Sequence, residues 1–441
     1  MAIQAKPFVT IGLFISCTAC TDFLAIDPPI NQVVAENVFS TDEAALSALT
    51  GLYSETMATN SYFLNGGITL YGGLSAGELA NRQASDTREE FARGEISPTN
   101  SDNDYRLWRT AYAMIYRCNS LLEGATSNAL SPSAKQLIRG EALLYRALCY
   151  FYLVNLYGDV PWVTSTDSEA NTVIPRTPSA AIYSGIEADL LETEQLLSAD
   201  YPVENRARPN KHTAQALLAR LYVFLGQWEK AESYANRVLS ASQYRLEEQL
   251  DNVYRYNSRE VIWQLYPVNN TFKATAEAQV FLPSASASSL PQLVLSAAVL
   301  DAFEKDDQRL EGWVGSKTYL GNTYYFPHKY RIRRGEDVRE EYNVLFRLAE
   351  QYFIRSEARM NLGNLPGAID DLNSIRQRAG LAPLAPTGGQ PLMDALMQEK
   401  NVEFFAECGH RWLDLKRWGL VERTWYPIPQ YELDSNPMLV P

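Results

Sequence analysis

Apolar positions along most of the chain recur three and four residues apart, the spacing that places them on one face of an α-helix. Leu144, Ala147, Leu148, Phe151 and Val154 form the clearest such stripe. Tyr145, Tyr150 and Tyr152 fill the other faces, so this helix is predicted to be buried nearly all round. Gly158 and then Pro161 end it. A second helix is predicted after Thr213, with Ala214, Leu217, Leu218, Leu221 and Leu225 as its stripe.

Its continuation carries a finer pattern. Leu218, Ala219, Tyr222, Gly226, Trp228 and Ala231 fall at the spacing of a tetratricopeptide helix pair, and Gly363, Leu365 and Ala368 repeat part of it later. Ala219 and Ala231 have little side chain to hold two helices apart. The two units are far apart in sequence and therefore not tandem, and ordinary antiparallel hairpins fit the same pattern. Between the helices, residues 60–104, 158–178 and about 245–340 are rich in Gly, Ser, Asn and Pro and read as loops. Within the last of these, "EVIWQLYP" reads as a short strand. No linker separates domains, so residues 20–441 are expected to form one mostly α domain with elaborated loops.

The first residues change the picture of where the protein works. Lys6, the apolar run Phe8 to Ile15 and the small pair Thr18-Ala19 before Cys20 read as a lipoprotein signal over residues 1–19. Cys20 is then the lipidation site, and its acyl chains anchor the mature protein in a membrane. A plain secretory signal is the alternative. Cys118, Cys149 and Cys408 remain, an odd number that argues against a disulfide frame, and each is read as a small buried hydrophobe in a helix. The formal net charge is −13, one unit more negative once Lys6 is removed. An acidic chain without a basic block is a poor partner for nucleic acid.

Six stretches in order resemble one family. They are "RGEALLYRALCYFYLVNLYGDVPWV", "TAQALLARLYVFLGQWEKAESYANRVL", "LFRLAEQYFIRSEARMNLG", "LNSIRQRAGL", "EKNVEFFAECGHRWLDLKRWG" and "PIPQYELDSNPML". Together they resemble the SusD/RagB family of outer-membrane nutrient-binding lipoproteins of Bacteroidetes, and Cys20-Thr21-Asp22-Phe23-Leu24 is similar to its acylated leader. Lys400-Asn401 departs from the Arg pair of many members, with a surface pairing as the expected casualty. The resemblance implies tetratricopeptide-like helix pairs in a right-handed superhelical scaffold, a loop-rich ligand face and a few short strands. It implies a protein held by lipid on the outer membrane, facing the exterior, as the lid of a SusC-like TonB-dependent transporter. Such proteins capture a glycan, or in some branches a peptide, without breaking bonds and without a cofactor. A tetratricopeptide-type scaffold that binds only proteins is the reading from another class.

The residues carry no competing chemistry. His212, His328 and His410 lie far apart, without the spacing of a zinc site. Asp306-Asp307 and Glu192-Glu194 resemble a glycosidase pair only in residue type, and solvated carboxylates account for them. Trp162, Trp412 and Trp418 read as core, and His410-Arg411 with Asp414 as a structural network. Trp108, Tyr112, Ile115 and Asn119 form a helix stripe ahead of any ligand platform. Aromatics in loops are the stronger ligand candidates, with packing of the loop itself as the alternative. Tyr62, Phe63 and Tyr71 lie beside glycines, Tyr105 follows Asp104, and Tyr319, Tyr324 and Tyr325 lie in "SKTYLGNTYYFPHKY". A flat ring faces the apolar C–H side of a sugar while nearby polar groups fix its hydroxyls, and Arg82 and Asn103 are the candidate polar partners.

Overall fold

A threonine opens the first long helix: the Thr41 side chain accepts a hydrogen bond from the Ala44 amide at the start of α1 (Asp42–Thr56). The computed structural model describes residues 38–83, 86–385, 388–422 and 425–440; Cys20 and the rest of the leader lie outside them. Residues 60–104 are not a continuous loop. They hold α2 (Gly67–Ser75), β1 (Leu79–Asn81) and α3 (Asp86–Arg93), and a π-helix begins at Asp102 and runs through Trp108 into α4 (Arg109–Gly124). The glycines of "GGITLYGG" misled the loop reading. Every residue from Gly67 to Leu74 is buried, and that burial outweighs the low helix propensity of the α2 glycines.

The predicted central helix is α5 (Pro132–Tyr157), capped by Ser131, with Pro132 in its first turn and Gly158 at φ +77° closing it. Every residue from Gly140 to Tyr157 is buried. Such a helix must pair its charges: Arg146 meets Asp189 at 2.8 Å, and Glu141 accepts from Arg208 at 2.6 Å. Next come α6 (Ser179–Leu196), α7 (Lys211–Phe224) and α8 (Trp228–Leu239). Helix α7 starts two residues before Thr213 because Asn210 and Thr213 form a capping box.

The chain then crosses β2 (Val261–Leu265), β3 (Leu293–Leu295), β4 (Val314–Tyr319), β5 (Asn322–Pro327) and β6 (Asn343–Arg347). It returns to helices in α9 (Leu348–Asn361), α10 (Leu365–Arg378), α11 (Gln390–Phe404), α12 (His410–Arg417) and α13 (Gln430–Ser435). The strand read in "EVIWQLYP" is β2. The described strands form three antiparallel pairs, β1 with β3, β2 with β6 and β4 with β5. The helices pack as pairs: α5 on α6, α7 on α8 and α9 on α10, with α8 packed directly on α9. The two tetratricopeptide-like units are thus neighbours in space, and the strand-bearing insertion is looped out between them. Ala219 and Ala231 are fully buried, as close helix approach requires.

A charged frame joins the inserted strands to the last helices. Arg309, Arg347 and Arg378 are buried and share Glu403, with Glu260, Glu399 and Glu407 completing their pairing. Burial opposes the charge on Glu403, and the three arginines outweigh it, holding that carboxyl well below its usual range. Lys329, two residues after β5, donates to Glu407 at 2.9 Å, which ties the β4–β5 hairpin to the same frame. Two expectations are corrected here. Lys400 is no surface residue: it is buried, with Nζ 2.7 Å from Asp414. Cys408 is buried but sits in the turn between α11 and α12 at φ +46°, whereas Cys118 and Cys149 are buried in helices.

Candidate functional site

Three segments distant in sequence meet at the end of β1. Asn81 pairs with Leu293, so the chain leaving β1 runs beside the residues that precede β3. The Arg82 amide donates to the Gln292 carbonyl at 3.0 Å, and the Arg82 Nε donates to the Pro291 carbonyl at 3.1 Å. This places the Arg82 guanidinium 4.7 Å over the ring of Tyr324 on β5. Its two terminal nitrogens have no hydrogen-bond partner among the described residues. The hairpin register supplies a second ring. Lys317 faces Tyr324 and Tyr319 faces Asn322, so Tyr319 and Tyr324 are diagonal neighbours on one face.

Contacts continue without a break toward the π-helix. Arg88 donates to the Gln292 side chain at 3.2 Å, and the hydroxyl of the adjacent Thr87 donates to Asp102 at 2.9 Å. Asp102 also accepts from Arg106 Nε at 2.8 Å, one turn along the π-helix, and the Arg106 guanidinium lies 5.1 Å from the ring of Tyr62. Tyr62, Arg82, Tyr319 and Tyr324, predicted separately, are thus joined by one run of contacts and strand pairings, a candidate platform. Its rings are half-buried and Arg82 is exposed. The arrangement suits an amphipathic ligand: rings for an apolar face, and guanidinium and amide groups for hydroxyls.

The other predicted residues stand elsewhere. Phe63 is buried, edge-on to Tyr152 at 6.0 Å. Tyr71 is 1 % exposed, lies in α2 rather than a loop, and packs 4.6 Å from Phe91. Burial first, and the nearby Asp102 second, push the Tyr71 hydroxyl pKa up. Asn103 is fully buried and is a clamp: its Nδ2 donates to the Pro427 carbonyl at 2.8 Å, and its Oδ1 accepts from Tyr157 at 2.7 Å. Phe63, Tyr71 and Asn103 support the platform from beneath and offer no surface to a ligand. Tyr105 is 54 % exposed and packs against Arg109, which caps the π-helix at the end opposite Asp102.

Residue types had not pointed to Asp102, Arg106, Arg88 and Gln292. Asp102 and Arg106 carry a readable signal, opposite charges four apart. Arg88 and Gln292 carry none, since 204 residues separate them. The imagined carboxylate pairs are occupied structurally: Asp307 binds Arg309 at 2.8 Å, Glu194 binds Arg237 at 2.9 Å, and Glu192 pairs with Arg139. His410 stacks on Phe404 at 4.4 Å, and burial lowers its pKa to about 4.

Comparison with known proteins places the fold. Residues 22–223 match a SusD-like family profile described as "Starch-binding associating with outer membrane", and residues 314–426 match the SusD family profile. The chain belongs to the SusD family. A SusD-like protein of Formosa agariphila is 25% identical over 98% of this chain and 97% of its own length. A SusD superfamily protein from Bacteroides vulgatus shares the fold with a TM-score of 0.80 at 23% identity, over 91% of this chain and 99% of that one. A structure described as a laminarin-binding SusD-like protein superposes with a TM-score of 0.76 at 23% identity, over 90% and 98% of the two chains. SusD proteins are binding proteins rather than enzymes, and glycan binders are among them. Among the described residues no helix is long and apolar enough to cross a membrane.

Proposed function

We propose that this chain captures an oligosaccharide on the Tyr62–Arg82–Tyr319–Tyr324 platform and delivers it to a SusC-like TonB-dependent transporter. The convergence of Arg82 on Tyr324 carries the reading. An arginine whose terminal donors meet no acceptor among the described residues, held over a tyrosine at the mouth of a strand pair, supplies hydroxyl recognition and ring stacking at one place. Membership in a family with glycan-binding members supports the ligand class. Acylation at Cys20 anchors the protein to the outer membrane with the platform toward the exterior; the Thr18-Ala19-Cys20 step supports this part.

Purified protein on glycan and peptide arrays tests the ligand class, and co-purification of the full chain from its native membrane tests the partner. Glycan retention together with a co-purifying TonB-dependent barrel is the expected result. Retention of peptides alone would move the chain to the peptide-binding branch. A barrel partner with no soluble ligand would make it a protein-only scaffold. Cys20→Ala is expected to release the protein from the membrane, and Cys17→Ala to leave it anchored.

A further inference from the structure

A second concave site lies on the other side of the π-helix. It is a cleft of about 410 Å³ between the start of α4, the segment after Pro161 and the C-terminal turn around α13. That volume is within the range of small-ligand sites. Its floor and one wall are aromatic: Trp108 and Tyr112 are 4.9 Å apart between ring centroids, and Tyr116, one turn further along α4, is 52% exposed. Ser168 and Glu432 bring a hydroxyl and a carboxylate to the opposite side.

The charges at the cleft are already balanced. Arg109 donates to Asp104 at 2.7 Å, lies 3.8 Å from Glu432, and is held between the rings of Tyr105 at 4.6 Å and Tyr431 at 4.2 Å. Burial raises the Glu432 pKa and the Arg109 charge partly offsets that, so neither group is a free ion. An anionic ligand finds its cation already paired, and a cationic ligand finds its carboxylate shared. A purely apolar ligand would strand the polar groups of the opposite wall. The remaining class has an apolar face for the rings and hydroxyls for the rim.

The geometry points to a second saccharide site in this cleft, taking about two rings of a neutral glycan against Tyr112 and Tyr116, with the buried Trp108 backing Tyr112 from the core. The ligand class rests on the glycan reading above; the cleft itself does not. Two occupied positions on one molecule would let a single long glycan, or two short ones, gain avidity.

Calorimetric titration with maltohexaose and with laminarihexaose tests this, on wild type, Tyr116→Ala, Ser168→Trp and the double variant Tyr62→Ala/Tyr324→Ala. Tyr116 and Ser168 are exposed, so both cleft variants should fold, and a melt of each checks it. Wild type is expected to show two binding events with at least one of the two sugars. The platform double variant should keep the cleft event, Tyr116→Ala should weaken it about tenfold, and Ser168→Trp should abolish it by filling the space. A single event that the platform variant abolishes and both cleft variants leave untouched overturns the cleft while the glycan reading stands. Absence of binding by either sugar to every variant overturns the ligand class at both places.

Discussion

The Arg82 guanidinium lies 4.7 Å over the Tyr324 ring, although 242 positions of sequence separate the two residues. The β1–β3 pairing brings Arg82 to Gln292, and the β4–β5 hairpin brings Tyr324 to Arg82. Neither side chain belongs to the helical scaffold that surrounds them. The proposed recognition is therefore separable from the helical frame.

That separation makes a direct prediction for the platform. Tyr62→Ala and Tyr324→Ala should each weaken glycan binding by about 1 kcal/mol or more, the size of a significant interface contact. Both rings are half-buried, so stability should fall by about 1 kcal/mol, well short of the loss at a fully buried ring. Calorimetry paired with a melt of each variant checks both halves.

The opposite outcome is expected beneath the platform. Phe63→Ala and Tyr71→Ala remove rings that are 1% exposed, which should cost roughly 3–5 kcal/mol of stability through lost burial and the cavity left behind. Their binding should fall only as far as the folded fraction falls. Denaturant titration separates the two effects. A normal melt with lost affinity would put these rings in contact with the ligand.

The contrast between those two sets marks how far the sequence could be read. The helical frame was legible because period alone defines it: Leu144 to Val154 repeat on a helix face, and α5 is buried as that pattern requires. Small residues at 219 and 231 likewise announced close helix contacts. The direct packing of α8 on α9 was not legible, since the strand-bearing insertion separates them in the chain. Within the site, glycine-rich composition marked a segment as loop, and burial made part of it helix. Tyr62 and Tyr71 have similar neighbours in sequence, but only Tyr62 reaches the surface. Partnerships such as Arg88 with Gln292 arise from strand pairing at long range, which no local pattern encodes.

Close helix approach is itself testable. Ala231→Leu inserts three carbons into the fully buried α7–α8 contact and should cost about 1–3 kcal/mol. A melting temperature that hardly moves would remove Ala231 from that contact.

A buried carboxyl makes stability fall as pH rises from mildly acidic to about 8. Glu78 is 2% exposed, and burial raises its pKa to about 8 despite the opposing charges of Lys329 and Arg411. One of its oxygens has no hydrogen-bond donor among the described residues, as a neutral carboxyl tolerates. The folded state thus keeps a proton that the unfolded chain loses above about pH 4.5. Stability from this group is full below that pH, falls by roughly 1.4 kcal/mol per pH unit and levels off near pH 8. Glu78→Gln should flatten this decline, so its advantage over wild type should grow between pH 5 and 8. Parallel stability curves for the two proteins would contradict the assignment.

The most direct test of the central claim is one titration series: oligosaccharides retained on a glycan array, measured by calorimetry against wild type, Arg82→Ala, Tyr324→Ala and the double variant. Weaker binding is expected in each single variant, with a double-variant loss smaller than the sum because the two groups act together, and melting temperatures that move by only a few degrees. Wild-type affinity in all three variants would contradict the claim.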